Sequence, residues 1–320
     1  NMEVTVYIVN GFLESGKTTF IQETLKDPDF SGKEKTLVIA CEEGEEEYDE
    51  KALAACRAEV VTVEEKEEFT TEYLRMLNAH YRPQRVMIEF NGMWGVEEFL
   101  EQELPENWVL VQIITLIDAT TYQNYLNNMK SIMMGQFKLS DTIIFNRCQS
   151  DTDKLALRRS VKVVNRKGQI IYESADGVTD DPGEEVLPFD LDAPLIDICD
   201  DDYGLWYMDA MDNPKKYNGK KVHFRAMVYR AEKLPKRSFV PGRFAMTCCV
   251  DDVAFIGFLC KVGEGVGPIP FEELKNRSYV YVTAEIRVEF YKEYRGKGPV
   301  LYAVAIETAP EPEDKLVYFN

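Results

Sequence analysis

The spacing of apolar and polar positions divides the chain into two regimes. Up to residue 175, nearly continuous apolar runs alternate with stretches of helical period. The runs are "VTVYIV" (4–9), "KTLVIA" (35–40), "RVMIEF" (85–90), "WVLVQIITLID" (108–118) and "DTIIFN" (141–146). Runs this uniformly apolar and β-rich are expected of strands covered on both faces. Between them, "EEFTTEYLRMLNAHY" sets Phe69, Tyr73, Leu77 and Tyr81 four residues apart, along one face of a helix. "DTDKLALRRSVKVVNRKG" opens on capping residues and closes on Gly168, a helix stop. The alternation predicts an α/β domain over residues 1–175, with a mainly parallel sheet and right-handed crossovers.

Beyond residue 175 the helical period is lost. "DGVTDDPGEEVLPFDLDAP" (176–194) is acidic and rich in turn residues. With the short amphipathic piece "DDYGLWYMDAMDN" that follows, it reads as a linker and helix spanning 176–211. From 212 to 320 come five strand-like runs: "KKVHFRAMVYRA", "GRFAMTCCV", "AFIGFLCKV", "SYVYVTAEIRVEF" and "VLYAVAIET". Five short strands predict a small all-β barrel, closed or partly open, of the oligonucleotide/oligosaccharide-binding type.

Composition narrows the partners. Asp and Glu number 56 against 37 Lys and Arg, a net charge of −19. That balance argues against nucleic acid or an anionic membrane as main partner and suits cationic ligands or basic partners. No run reaches the roughly 20 apolar residues of a spanning helix. No charged-then-apolar leader is recognisable, and Asn1 ahead of Met2 reads as an appended residue. The seven cysteines are thinly spread apart from Cys248-Cys249. They are expected as reduced thiols in a cytoplasm.

The chemistry concentrates in "VNGFLESGKTTF" (9–20), where residues 11–18 fit G-x-x-x-x-G-K-[ST] between a strand and a helix. Gly11 and Gly16 permit the backbone shape that turns N–H groups toward phosphate oxygens. Lys17 is expected to reach the β- and γ-phosphates, and Thr18 to ligate Mg²⁺. Ser15 and Thr19 complete this set of candidate nucleotide contacts. Glu14, an acid inside the loop, is expected to point away from the phosphates, weakening nucleotide binding or awaiting a cation.

Three other segments supply candidates. Glu89 ends an apolar strand, where ligands gather in parallel sheets, and is followed by Gly92. It is read as an acid reaching Mg²⁺, with a helix cap as the alternative. "CEEGEEEYDE" (41–50) places seven carboxylates within residues 42–50. It reads either as a mobile solvated loop or as a switch that orders around a cation when nucleotide binds. Asn146-Arg147-Cys148-Gln149 stands where guanine-specific proteins have N-K-x-D. Asn146 can brace the loop and Arg147 can stack on a base as lysine does. Gln149 lacks the carboxylate that accepts from guanine, and Asp151 or Asp153 would have to substitute.

In this order "GFLESGKTTF", "LVIACEEGEEEYDE", "VMIEFNGMWG", "ITLIDATTY" and "LSDTIIFNR" resemble the segments of CobW-type P-loop GTPases. The resemblance spans residues 4–172. It implies GTP binding, slow Mg²⁺-dependent hydrolysis and a role in metal delivery or homeostasis. Carried over residue by residue, the P-loop is 11–18, Glu42 and Gly44 match the switch glutamate and glycine, and Glu89 and Gly92 match Walker B. Asn146 matches the base-binding asparagine. Lys17, Glu42 and Glu89 are thus the catalytic candidates, and Thr18, Glu42 and Glu89 the Mg²⁺ candidates. The family's C-x-C-C motif between switch and Walker B is missing, since only Cys56 stands in that interval. Glu64, Glu65, Glu67 and Glu68 lie near its place. They read as a solvated helix start or as ligands for harder metals than thiolates favour.

The segment "NPKKYNGKKVHFRAMVYRAEKLPKRSFVPGRFAMTCCVDD", with "PEDKLVYF" near the end, resembles the C-terminal domain of the YcgQ-type permease subunit. It implies association with a membrane permease system. Cys248 and Cys249 fall in its R-F-x-x-x-C-C-x-x-D run, Arg243 to Asp252. Adjacent strand residues face opposite ways. One buried and one exposed thiol is one reading. A soft-metal site for an ion such as Zn²⁺, completed by Asp251, Asp252, Cys260 or His223, is the other. The expected protein is a nucleotide-gated accessory factor for metal handling, with a permease or metalloprotein client and a homodimer as partners. The alternative is a non-hydrolysing module that acts through its barrel.

Overall fold

The computed structural model describes residues 2–247 and 251–319. The chain forms two units, divided between Gly183 and Glu184. In the first, the strands are β1 (Val4–Asn10), β2 (Thr36–Ala40), β3 (Ala58–Thr62), β4 (Arg85–Glu89), β5 (Trp108–Asp118), β6 (Thr142–Cys148), β7 (Gln169–Ser174) and β8 (Gly177–Thr179). They form one sheet in the order β3-β2-β4-β1-β5-β6-β7-β8. Every neighbouring pair is parallel except β7–β8. The helices between them are α1 (Lys17–Lys26), α2 (Pro28–Ser31), α3 (Glu50–Ala55), α4 (Thr71–Tyr81), α5 (Val96–Leu100), α6 (Tyr122–Asn128), α7 (Lys130–Lys138) and α8 (Lys154–Lys162). This is the α/β P-loop architecture that the apolar runs predict.

The departures have local causes. β3 is an edge strand with only Ala58 buried, so its sequence "AEVVT" carries no continuous apolar run. α4 starts later than the period suggests. Thr70 caps it by accepting from the Tyr73 N–H, and Phe69 packs into the core ahead of it. α8 stops at Lys162, short of Gly168, which lies against the Asn165 side chain. The central strands β2 and β4 are buried at every position. They bring the carboxyl ends of β1, β2 and β4 side by side, so that Val9, Ala40 and Glu89 lie in register.

The second unit begins with β9 (Ile196–Ile198) and α9 (Tyr203–Asp212). There follow β10 (Lys221–Tyr229), β11 (Ser238–Met246), β12 (Val253–Gly257), β13 (Cys260–Lys261), β14 (Tyr279–Tyr291), β15 (Gly296–Thr308) and β16 (Leu316–Val317). The run "AFIGFLCKV" is divided between β12 and β13 at Phe258 and Leu259, both buried. Pairings pass from β10 to β11, β13, β15, β14 and back to β10. β9 is parallel to β10, and β16 to β11. Trp206 of α9 is fully buried, packed on Phe224 and Phe258. Trp206 falls in the short helix that the sequence predicts, and from the acidic linker before it Phe189 and Leu191 pack partly buried against the same core.

One polar constellation lies in that core. Arg243 on β11 is 1% exposed. It donates to Asp200 at 2.6 Å and to the Asp314 carbonyl at 3.1 Å. Arg225 pairs with the same carboxylate. Burial works against ionisation of Asp200, yet Arg225 and Arg243 outweigh it and hold the carboxyl below its usual range. Removing one partner of such a pair strands a buried charge. Asp200→Ala is expected to destabilise the second unit by about 3 kcal/mol, read as a lower urea midpoint in chemical denaturation.

Candidate nucleotide site

The loop after β1 is shaped by close backbone approaches. Gly11 has φ of 145° and Gly16 of 97°, both in the region that favours glycine. A Cβ on Gly92 would lie 2.2 Å from the Gly11 carbonyl oxygen, so the turn after β4 rests directly on the loop. Gly16 precedes α1, and no side chain caps that helix. Its first N–H groups are therefore left for another acceptor. The Ser15 hydroxyl is buried without a hydrogen-bond partner. A cleft of about 310 Å³ opens here, lined by Gly16, Lys17, Thr18, Thr19, Glu42 and Glu89 among others. An uncapped helix start, an orphaned hydroxyl and a buried lysine are a donor set that fits a phosphate chain.

Lys17 is 3% exposed. Its ammonium donates to the Gly11 carbonyl at 2.6 Å and the Phe12 carbonyl at 3.3 Å, and its third contact is the Glu42 carboxylate. The Thr18 hydroxyl donates to Glu89 at 2.8 Å. The Tyr48 hydroxyl donates to the other oxygen of Glu89. Burial drives the Glu89 carboxyl above its ordinary range, against the opposing effect of those two bonds and of Lys17. Burial and the nearby Glu89 also push up the Cys41 thiol, so Cys41 sits here as a neutral group. Lys17, Thr18, Glu42 and Glu89 are thus brought together.

The acidic segment is tied down at several points. Glu14, at φ of 63°, turns its carboxylate to accept the Glu45 N–H at 2.8 Å. A Cβ on Gly44 would lie 2.4 Å from that carboxylate, so the two residues are in close contact here. The Gln22 side chain accepts from the Asp49 N–H at 2.8 Å, and Asp49 caps α3. Tyr48 and Gln22 are absent from the sequence-based candidates. Tyr48 carries one available signal: it is the sole aromatic residue within the acidic run.

At the end of β6, the Asn146 amide donates to the Ser15 carbonyl at 2.7 Å and so braces the loop. Arg147 donates to the Glu14 carbonyl at 2.8 Å and to Asp118 at 2.6 Å. Burial opposes ionisation of Asp118, but hydrogen bonds from Thr120 and Arg147 hold its carboxyl below the usual range. The Gln149 N–H donates to Thr152, and Asp153 caps α8 by accepting from Ala156. Cys248 and Cys249 lie outside the described residues. Cys260 is fully buried, and His223 stacks on Tyr281 while meeting Asp197 at 3.0 Å. Among the described residues, no group of three or more His, Cys, Asp or Glu is arranged to hold a metal ion.

A family profile described as the CobW/HypB/UreG nucleotide-binding domain matches residues 5–172. Another, described as the DUF1980 C-terminal domain, matches residues 179–319. Among solved structures, a Zn(II)-bound triple mutant of the YjiA GTPase is similar at 24% identity, over 55% of this chain and 58% of that one, with a TM-score of 0.42. Hydrogenase maturation factor HypB from Archaeoglobus fulgidus is 16% identical, over 54% of this chain and 82% of that one, with a TM-score of 0.40. HypB from Helicobacter pylori, in complex with nickel, is 15% identical, over 55% and 80%, with a TM-score of 0.34. The present chain thus spans 58% of the length of the YjiA structure. No curated protein matches it.

The contact between Gly92 and Gly11 makes a direct prediction. Gly92→Ala is expected to displace the loop, costing about 1–3 kcal/mol and lowering nucleotide affinity. Calorimetric titration beside a thermal melt separates the two effects.

Proposed function

Over residues 5–172 the chain belongs to the CobW/HypB/UreG nucleotide-binding family, and from that membership we propose a nucleotide-gated accessory protein for metal homeostasis or a permease system. Its nucleotide is GTP, bound with Mg²⁺ and hydrolysed slowly. The observation that carries this reading is the pairing of Lys17. The lysine is buried, and its charge is answered by one carboxylate from an acidic segment that is otherwise largely exposed. A γ-phosphate offers Lys17 the same charge with more acceptors, so one anion exchanges for the other.

In that exchange Lys17 holds the β- and γ-phosphates, while N–H groups of residues 14–19 receive the remaining oxygens. Thr18 and Glu89 supply the hydroxyl and carboxylate oxygens that suit Mg²⁺. The ion, when bound, neutralises charge on the phosphates. Glu42, once released, is free to position the ion or the attacking water. Its departure also loosens the segment from 42 to 50, and that change is the signal to a client or to a second copy of the chain. For the second unit, the reading is an oligonucleotide/oligosaccharide-type barrel that docks on a permease component. The circuit of strand pairings and the resemblance of residues 212–320 support it. A soft metal at Cys248 and Cys249 belongs to the same proposal.

A second reading, a module that binds nucleotide without hydrolysing it, draws on the base loop. Gln149 replaces the family's carboxylate, and Asp153 is already committed to a helix cap.

Titration calorimetry with GTP and ATP, with and without Mg²⁺, tests the first reading. GTP binding is expected in the wild type, and Lys17→Ala is expected to lose at least about tenfold in affinity, about 1.4 kcal/mol. Absence of binding to either nucleotide would sink the proposal. Turnover assays across divalent ions decide between the two readings: binding without hydrolysis under any ion favours the module. Glu42→Gln is expected to tighten Mg²⁺-free nucleotide binding about tenfold, since a charged competitor for Lys17 is removed, and to lower turnover.

A further inference from the structure

The acidic segment is held by two kinds of contact. One kind uses residues outside the phosphate and metal candidates. The Glu45 N–H donates to Glu14 at 2.8 Å, and the Asp49 N–H donates to the Gln22 side chain at 2.8 Å. Gln22 also reaches the Glu47 carbonyl at 3.5 Å. The other kind falls on the candidates themselves: Glu42 on Lys17, and the Tyr48 hydroxyl on Glu89. Along the chain the two kinds alternate. Glu45 separates Glu42 from Tyr48, and Asp49 holds the chain just past the tyrosine. Loss of the Glu42 contact alone therefore leaves Tyr48 anchored on both sides.

Packing places Tyr48 as well. It lies partly buried against the core cluster that includes Val9, Ile21 and Leu25. Burial and the nearby Glu89 push its phenol above the ordinary range, so the hydroxyl stays a neutral donor. Glu89 is 3% exposed and accepts at both oxygens, from Thr18 at 2.8 Å and from Tyr48. A buried carboxylate needs such donors. The Thr18 hydroxyl can keep its bond to Glu89 while its own lone pairs face an ion. The phenol is the donor that can be exchanged. Mg²⁺ keeps several of its waters when bound, and a water polarised by the ion donates more strongly than a neutral phenol.

Resting on the nucleotide reading above, we propose that Tyr48 is a positioning residue for Glu89, and that it makes full release of the acidic segment depend on Mg²⁺ as well as on nucleotide. Glu42 leaves when a phosphate takes Lys17. Tyr48 leaves only when a metal-bound water takes its place on Glu89. Linkage makes this coupling reciprocal: a docked Tyr48 weakens Mg²⁺ binding.

The test follows oxidation of Tyr48 in the full wild-type chain by radiolytic footprinting and mass spectrometry. The imido analogue of GTP in EDTA is expected to leave Tyr48 protected, and the same analogue with Mg²⁺ to expose it. Calorimetry reads affinity beside it. Tyr48→Phe is expected to tighten Mg²⁺ binding to the nucleotide complex about tenfold, with a smaller effect on nucleotide affinity in EDTA, and a thermal melt confirms that the variant folds. Weaker Mg²⁺ binding by Tyr48→Phe overturns the assignment, because the phenol then supports the metal site instead of competing with it. Exposure of Tyr48 by the analogue in EDTA also overturns it, while nucleotide binding stands. If calorimetry finds no binding of the analogue under either condition, the nucleotide reading falls and this inference with it.

Discussion

A buried ammonium has to be neutralised where it lies, because taking a charge out of water is costly unless a partner answers it. Lys17 meets that constraint with two carbonyls of its own loop and one carboxylate, Glu42. Much of the first unit's polar arrangement follows from that demand. β1 and β2 flank β4, so the lysine and the acid arrive from the strand ends on either side of it. The carboxylate that arrives belongs to a segment dense in like charge, which would otherwise repel itself away from the sheet. The site is held closed by the same kind of interaction through which an incoming phosphate is proposed to open it.

Glu14 takes its meaning from this arrangement. An acid in a phosphate loop is unfavourable if it faces the phosphates. Here it faces the backbone N–H of Glu45 and fixes the acidic segment from the other side. Gly44 lies directly beside the Glu14 carboxylate. Tyr48 adds a third tether by donating to Glu89, whose other oxygen takes the Thr18 hydroxyl. In this structure the segment is thus tethered at Glu42, Glu45, Tyr48 and Asp49.

What the sequence made legible divides along a physical line. Contiguous signals came through: the apolar runs of β1, β2, β4, β5 and β6, and the glycines and lysine of residues 11–18. Their causes are local, in burial on both faces and in backbone shape. Signals that depend on distant partners did not. β3 is half exposed and reads as ordinary surface. The burial of Ile196 and of Trp206 cannot be read until β10 and Phe258 supply the surfaces that cover them. Tyr48 and Gln22 have no motif. Their roles arise only when the fold carries the acidic segment back across α1. The partner of Glu14, the Glu45 N–H, required the tertiary structure, and Glu14 also lines the cleft at Lys17.

The two ends of the candidate site are built on different principles. At the phosphate end, buried donors stand unsatisfied or provisionally paired: the Ser15 hydroxyl, the uncapped start of α1, the ammonium on Glu42. At the base end most polar groups are already paired, although the Asn146 side-chain oxygen is buried without a hydrogen-bond partner. Asn146 and Arg147 brace the loop through the Ser15 and Glu14 carbonyls, Asp118 answers Arg147, and Asp153 caps α8. Recognition by hydrogen bonding is sharp only where a site's polar groups go unpaired when the wrong ligand binds. Groups that are satisfied without the ligand give no such discrimination. On the proposed reading the arrangement favours the phosphates over the base, and of the two carboxylates expected to substitute near the base loop, Asp153 already caps α8.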